Sequence, residues 1–286
     1  MWELLLDCLL DSLKDCALML PILFLAYLLM EFIEQRAGEK INRVVTRVGT
    51  AGPALGGLLG AVPQCGFSGA IAGFYAAGIV TLGTLLSVFL STSDEMLPIL
   101  ISNRIAPAQI VKILLFKVIG GILAGFIIDI VLRAAKRQKA ASGDHIHDFC
   151  EQENCECEEN IWLSALKHTI KVIILIFAVT LVINIVFEKW GADFFKSIIV
   201  DAPVAGEMLM ALIGLIPNCS ASVLITELYV EGVVSAGQMI AGLMANAGVG
   251  LLVLFRLNKK LRENLTIAAL LYACAVVLGI ITSIVW

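Results

Sequence analysis

Charge is what this sequence has least of. Only 15% of its 286 residues are Asp, Glu, Lys or Arg, against 59% hydrophobic, whereas about a quarter of a soluble domain is charged. An ordinary soluble domain is excluded. The phosphate-cradling pattern G-x-x-x-x-G-K-[ST] is missing too, so energy for any work must come from an ion gradient or a separate subunit. The first 15 residues are acidic, and no small-residue cleavage site follows a basic leader, so a removable signal peptide is not expected. No His, Asp and Ser gather within the apolar stretches, and His168 reads as interfacial at a helix start. A membrane enzyme is disfavoured. Eight cysteines are present without the look of a disulfide framework: Cys150, Cys155 and Cys157 lie in a polar linker, while Cys16, Cys65, Cys219 and Cys274 have apolar surroundings.

Long uncharged runs are abundant. Val48–Ser93, Met208–Thr226, Gly232–Phe255 and Leu265–Trp286 each meet the roughly 18 residues that mark a membrane span. The first of these has 46 residues, too many for one helix at about 1.5 Å per residue. Gly52-Pro53, Gly56-Gly57 and Pro63 divide it. The expectation is a half-helix over 51–62, non-helical backbone at 63–67, a second half-helix over 68–77, and a further span from Thr81 interrupted near Ser91-Thr92-Ser93. A helix from Pro107 to about Leu132 closes the half. Residues 1–14 are amphipathic and read as interfacial, with a helix entering the bilayer over 16–30.

The chain is a duplication. Moved forward by 154 positions, Pro63–Leu100 lies without a gap on Pro217–Leu254, and 10 of 38 positions are identical, Cys65 with Cys219, Ser68 with Ser222, Tyr75 with Tyr229 and Gly78 with Gly232 among them. Unrelated apolar segments agree at about one position in ten. The second half therefore repeats the plan: a helix over about 166–187, an amphipathic stretch at 193–201, breaks near Pro217 and Asn246, and a terminal helix from Leu265. Fourteen of the 20 Lys and Arg residues fall in three connections, which the positive-inside rule makes cytoplasmic, with both termini outside. Each half then has an odd number of crossings, and the halves are inverted. The expected fold is an all-α polytopic membrane protein of two inverted repeats, 1–139 and 161–286, with broken or re-entrant helices at the midplane and a cytoplasmic linker at 140–160.

Three constellations carry candidate chemistry. Gln64, Cys65 and Ser68 recur as Asn218, Cys219 and Ser222, and inverted repeats bring such breaks together where a substrate binds. Thiolates select soft ions and trivalent metalloids; the plain alternative is two small cysteines packed between helices. Asp94 and Glu95, matched to the break at Asn246, are expected to coordinate a cation, to take up a proton as the substrate leaves, or to sit solvated at an interface. The linker holds His145, His147, Cys150, Cys155 and Cys157 among seven carboxylates. That set suits a soft metal without the spacing of a closed zinc site.

With these motifs the chain resembles the ten-transmembrane heavy-metal exporter family related to the arsenical permeases, also labelled arsenic efflux or manganese transporter. The resemblance rests on Pro63, Cys65, Ser68, Pro217, Cys219 and Ser222, and implies efflux of a metal or metalloid. The expectation is a secondary transporter in a bacterial or archaeal plasma membrane, with Gln64, Cys65, Ser68, Asn218, Cys219, Ser222 and Asn246 contacting the substrate. Its partners are the bilayer and the transported ion, with no permanent cofactor and no nucleic acid; self-association is compatible with it. Two rivals stand beside this reading: a manganese or other hard-cation exporter using carboxylates, and a membrane sensor or scaffold working through the linker.

Overall fold

The computed structural model describes residues 51–61, 65–93, 96–135 and 204–286, with individual helical positions between 9 and 28 and between 162 and 185. The description of Cys65 and Cys219 stops at the backbone. Gln64, Asp94, Glu95, His145, His147, Cys150, Cys155, Cys157 and the stretch at 193–201 lie outside the described residues.

Helix is the only regular structure among the described residues. The first half contributes α1 (51–60), α2 (Cys65–Ala76), α3 (Leu82–Ser91), α4 (Met96–Ser102) and α5 (Pro107–Ala134). The second contributes α6 (Ala205–Gly214), α7 (Cys219–Val230), α8 (Ala236–Ala245), α9 (Val249–Leu257) and α10 (Leu261–Val285). α2 and α7, and likewise α3 and α8, match residue for residue at the 154-position offset of the sequence. Among the described residues, four stretches are long and apolar enough to cross a membrane: Leu82–Ser102, Pro107–Ala134, Ala236–Leu257 and Leu261–Val285. The chain is an all-α, multi-pass membrane protein.

Burial separates an inner layer from an outer one. The broken stretches Leu82–Ser102 and Ala236–Leu257 are 75% and 83% buried, while α5 and α10 are only 39% and 33% buried. Exposed side chains such as Leu115, Ile119 and Ile130 on α5 mark a lipid-facing surface. α3 lies against α5, and α8 against α10 and α6. The halves also exchange partners: α2 packs on α9, and α7 on α4.

Local chemistry repeats with the same offset. Thr81 and Ser235 cap α3 and α8, their side chains accepting from the N–H of Thr84 and Gln238, and Gln238 completes a capping box. α2 and α7 both stop at a glycine of left-handed φ, Gly78 (74°) and Gly232 (75°). Their following N–H groups, Ile79 and Val233, reach back to the carbonyls of Phe74 and Leu228, the hydrogen-bond pattern of a Schellman ending. A second glycine pair permits close crossing. A Cβ on Gly83 would strike the Gly125 carbonyl and Asp129, and one on Gly237 would strike the Gly279 carbonyl and Ser283.

Two boundaries differ from expectation. α2 begins at Cys65, so Cys65–Phe67 are helical and not part of a non-helical 63–67 segment. In the matching place Asn218 is the extended residue that opens α7, which puts each helix start directly after the polar residue that precedes its cysteine. α10 starts at Leu261, four residues before Leu265, because its charged first turn continues the helix into the polar connection.

Candidate substrate site

The site begins with two helices that stop too soon. α3 and α8 have ten residues each, about 15 Å, or half the roughly 30 Å of bilayer hydrocarbon. α3 ends at Thr92 (φ −54°, ψ 129°) and α8 at Asn246 (φ −78°, ψ 95°), both turning to extended backbone at matching positions. After Asn246 the chain re-enters helix α9 through Gly248, whose φ of 52° with ψ of −140° suits glycine. The side chain of Asn246 holds this break: its Oδ1 accepts from Gly248 N–H at 2.8 Å, and its Nδ2 points to the Asn218 carbonyl at 3.5 Å.

Breaks from the two halves border one small cavity. Thr92 and Ser93 line it from the first half, Asn246, Gly248 and Ser222 from the second, with Met96 and Leu243 as its apolar walls. Its volume of about 10 Å³ is room for about one water-sized group. Asn218 is buried beside it, with Nδ2 donating to Ser220 Oγ at 3.1 Å. Three expected residues, Asn218, Ser222 and Asn246, are thereby gathered. Ser68 is buried as well, but in the α2–α9 contact, where a Cβ on Gly250 would come within 2.7 Å of its carbonyl. Ser93 and Met96, the sequence neighbours of Asp94 and Glu95, both line the cavity. Glu227 and Glu231 on and beyond α7 are exposed.

The cavity also holds a cation that sequence reasoning passed over. Lys117, fully buried on α5, donates from Nζ to the Thr92 carbonyl and, at 3.5 Å, toward the Leu243 carbonyl. Both are acceptors left over where a helix ends, and both carry the negative end of a helix dipole. At the opposite ends of these helices stand carboxylates. Asp129 accepts from Thr81 Oγ1 at 2.7 Å and from Gly83 N–H at 2.8 Å, at the start of α3. Glu207, buried on α6, accepts from Ser283 Oγ at 2.6 Å beside the start of α8, and its Oε2 has no hydrogen-bond partner among the described residues. Negative groups at helix starts and a positive one at helix ends is the arrangement that aligned peptide dipoles favour.

A pair of clasps ties the halves together. Tyr75 on α2 donates to Glu263 Oε1 of α10 at 2.7 Å, and Tyr229 on α7 accepts from Gln109 Nε2 of α5 at 2.6 Å. Tyr75 matches Tyr229, and Gln109 matches Glu263, at the same offset of 154. Each half thus grips the outer helix of the other. Among the described residues no three His, Cys, Asp or Glu side chains converge as a metal site.

Broken helices that meet at a buried polar cavity in a multi-pass helical protein are an arrangement that membrane transporters use. The chain matches the family described as "Putative, 10TM heavy-metal exporter" over residues 3–202, and it belongs to that family. No curated protein and no solved structure matches it significantly.

Proposed function

We propose that the protein exports a soft metal or metalloid ion from the cytoplasm, exposing the cavity between the two helix breaks alternately to either side. The observation that carries this reading is the meeting of matching breaks, Thr92-Ser93 and Asn246-Gly248, at one polar cavity within apolar helices. The family description supplies the class of substrate. Cys65 and Cys219 begin α2 and α7, and their thiols supply the soft donors, with Ser222, Asn218 and Asn246 as polar contacts. The linker at 140–160, with its His and Cys residues, delivers the ion from the cytoplasm.

An inverted arrangement of the halves has support in two contacts between α5 and α10. Lys112 Nζ lies 3.8 Å from the ring centre of Trp286, and a Cβ on Gly120 would meet Leu278 at 3.3 Å. Moving up α5 means moving down α10, so these matched helices run antiparallel where they touch. A two-fold axis in the membrane plane relates elements in that way. It also brings the C-terminal ends of α3 and α8 face to face at Lys117.

The test is cellular content of arsenite, zinc, copper, cadmium and manganese in export-deficient cells carrying the wild type or the C65S/C219S variant. A soft element should fall with the wild type and recover in the variant. A fall in manganese alone, indifferent to the cysteines, assigns the work to carboxylates and refutes the thiol site. Complete loss of activity on deleting residues 140–160, with the cysteine variant still active, assigns it to the linker.

A further inference from the structure

We infer that Lys117 is the group that couples transport to protons, a reading that rests on the export function proposed above. Its ammonium is shared between the Thr92 carbonyl, at the C-cap of α3, and the Leu243 carbonyl, in the last turn of α8, one helix from each half. Any rocking of one half against the other must separate the Thr92 carbonyl from the Leu243 carbonyl. A single ammonium cannot then bridge both. While bridged it is shielded; when the ends part, water reaches it from one side. The protonated amine gives one proton to that water, leaving the neutral amine, and regains one from the opposite side before the ends rejoin.

Position in the fold argues for this role over a packing one. Lys117 is ten residues into α5, about 15 Å from its start, at the depth where α3 and α8 end. Its counterpart in the second half is Leu271, also fully buried, so the outer helix of that half packs at this position with no cation. Near a two-fold axis one ammonium serves both helix ends, and a second would oppose the first. Among the described residues, few charged groups lie on the helices packed nearby. α3, α4 and α8 contain no charged residue. Arg256 sits in the last turn of α9, Glu227 on α7 is exposed, and Arg262 and Glu263 lie in the first turn of α10. On α5 itself Lys112, Asp129 and Arg133 are at least five positions away. Asp94 and Glu95, between the cavity residues Ser93 and Met96 in sequence, are further candidates, and the experiment includes them.

Arginine keeps its charge at all accessible pH and can bridge carbonyls without releasing a proton. The test therefore uses the full chain in proteoliposomes, as wild type, K117R, K117Q and D94N/E95Q, with arsenite as the probe. The readout is the ratio of arsenite movement with an imposed pH gradient to movement without it. A ratio of at least about five in the wild type and D94N/E95Q, falling to one in K117R and K117Q, is expected. A gradient response kept by K117R, lost only in D94N/E95Q, or absent from an active wild type overturns the assignment. If the wild type moves no arsenite, the choice of cargo fails and the same ratio is read with zinc, copper, cadmium and manganese in turn: a gradient response kept by K117R with the ion that moves overturns the role of Lys117, and movement of none of them overturns the export function and the coupling role with it.

Discussion

Substituting Gly237 by Ala should be among the most damaging one-carbon changes in this protein. Its new Cβ would collide with Ser283 Oγ, lie 2.7 Å from the Gly279 carbonyl and 2.9 Å from Ser283 Cβ. Rotating Ser283 away relieves the first contact only by surrendering its hydrogen bond to Glu207, whose other oxygen already has no hydrogen-bond partner among the described residues. The Gly279 contact is with backbone, so α8 and α10 must move apart. Overpacking of this kind costs about 1–3 kcal/mol, and a lost bond to a buried carboxylate about 1.5–3 kcal/mol more. The sum, about 2.5–6 kcal/mol, corresponds to a fall in unfolding midpoint of at least about 5 °C. Gly232→Ala is the control, since nothing lies within 4 Å of its Cβ position and only the left-handed φ of 75° opposes it, about 1–2 kcal/mol. Thermal unfolding of the purified protein in detergent reads both. If Gly237→Ala falls no further than Gly232→Ala, the close crossing of α8 on α10 is refuted.

The clasps between halves give an unequal pair: Tyr75→Phe removes a bond to a carboxylate and Tyr229→Phe one to a neutral amide. Both sites are half-buried, so after allowing for solvent the losses are about 1–2 and about 0.5–1 kcal/mol, read as unfolding midpoints; the reverse order would contradict the pairing. Asp129→Asn places an amide against the Thr81 hydroxyl and Gly83 N–H, and should cost about 1–3 kcal/mol, whereas Ser283→Ala removes a hydroxyl at the matching place and leaves Glu207 Oε1 short of its donor. Equal stability of Asp129→Asn and wild type would show that the carboxylate does not hold the start of α3.

Much of the architecture was legible because it was written twice. Positions shared by the halves, Gly78 with Gly232 and Tyr75 with Tyr229, proved to be helix endings and clasps, and the breaks at Ser91–Ser93 and Asn246 fell where expected. The same comparison hid what the halves do not share. Lys117 stands opposite Leu271, Asp129 opposite Ser283, and Glu207 opposite Pro53. A search for identities passes over each of them. Another signal was available: a lone charge inside an otherwise apolar spanning helix is expensive and marks a site by that fact. Lys117 and Asp129 are such residues in α5. The convergence of two helix ends on one lysine could not be read from sequence, because it depends on how α3, α5 and α8 cross.

The central claim is that the substrate passes between the two helix breaks. Anomalous X-ray diffraction from crystals of the full chain soaked with arsenite tests it most directly, because the arsenic peak reports position without reference to activity. The account predicts a peak in the cavity bordered by Thr92, Ser222 and Asn246, absent from the C65S/C219S variant. A peak confined to the linker at 140–160, or a cavity peak that persists without the two thiols, would contradict it.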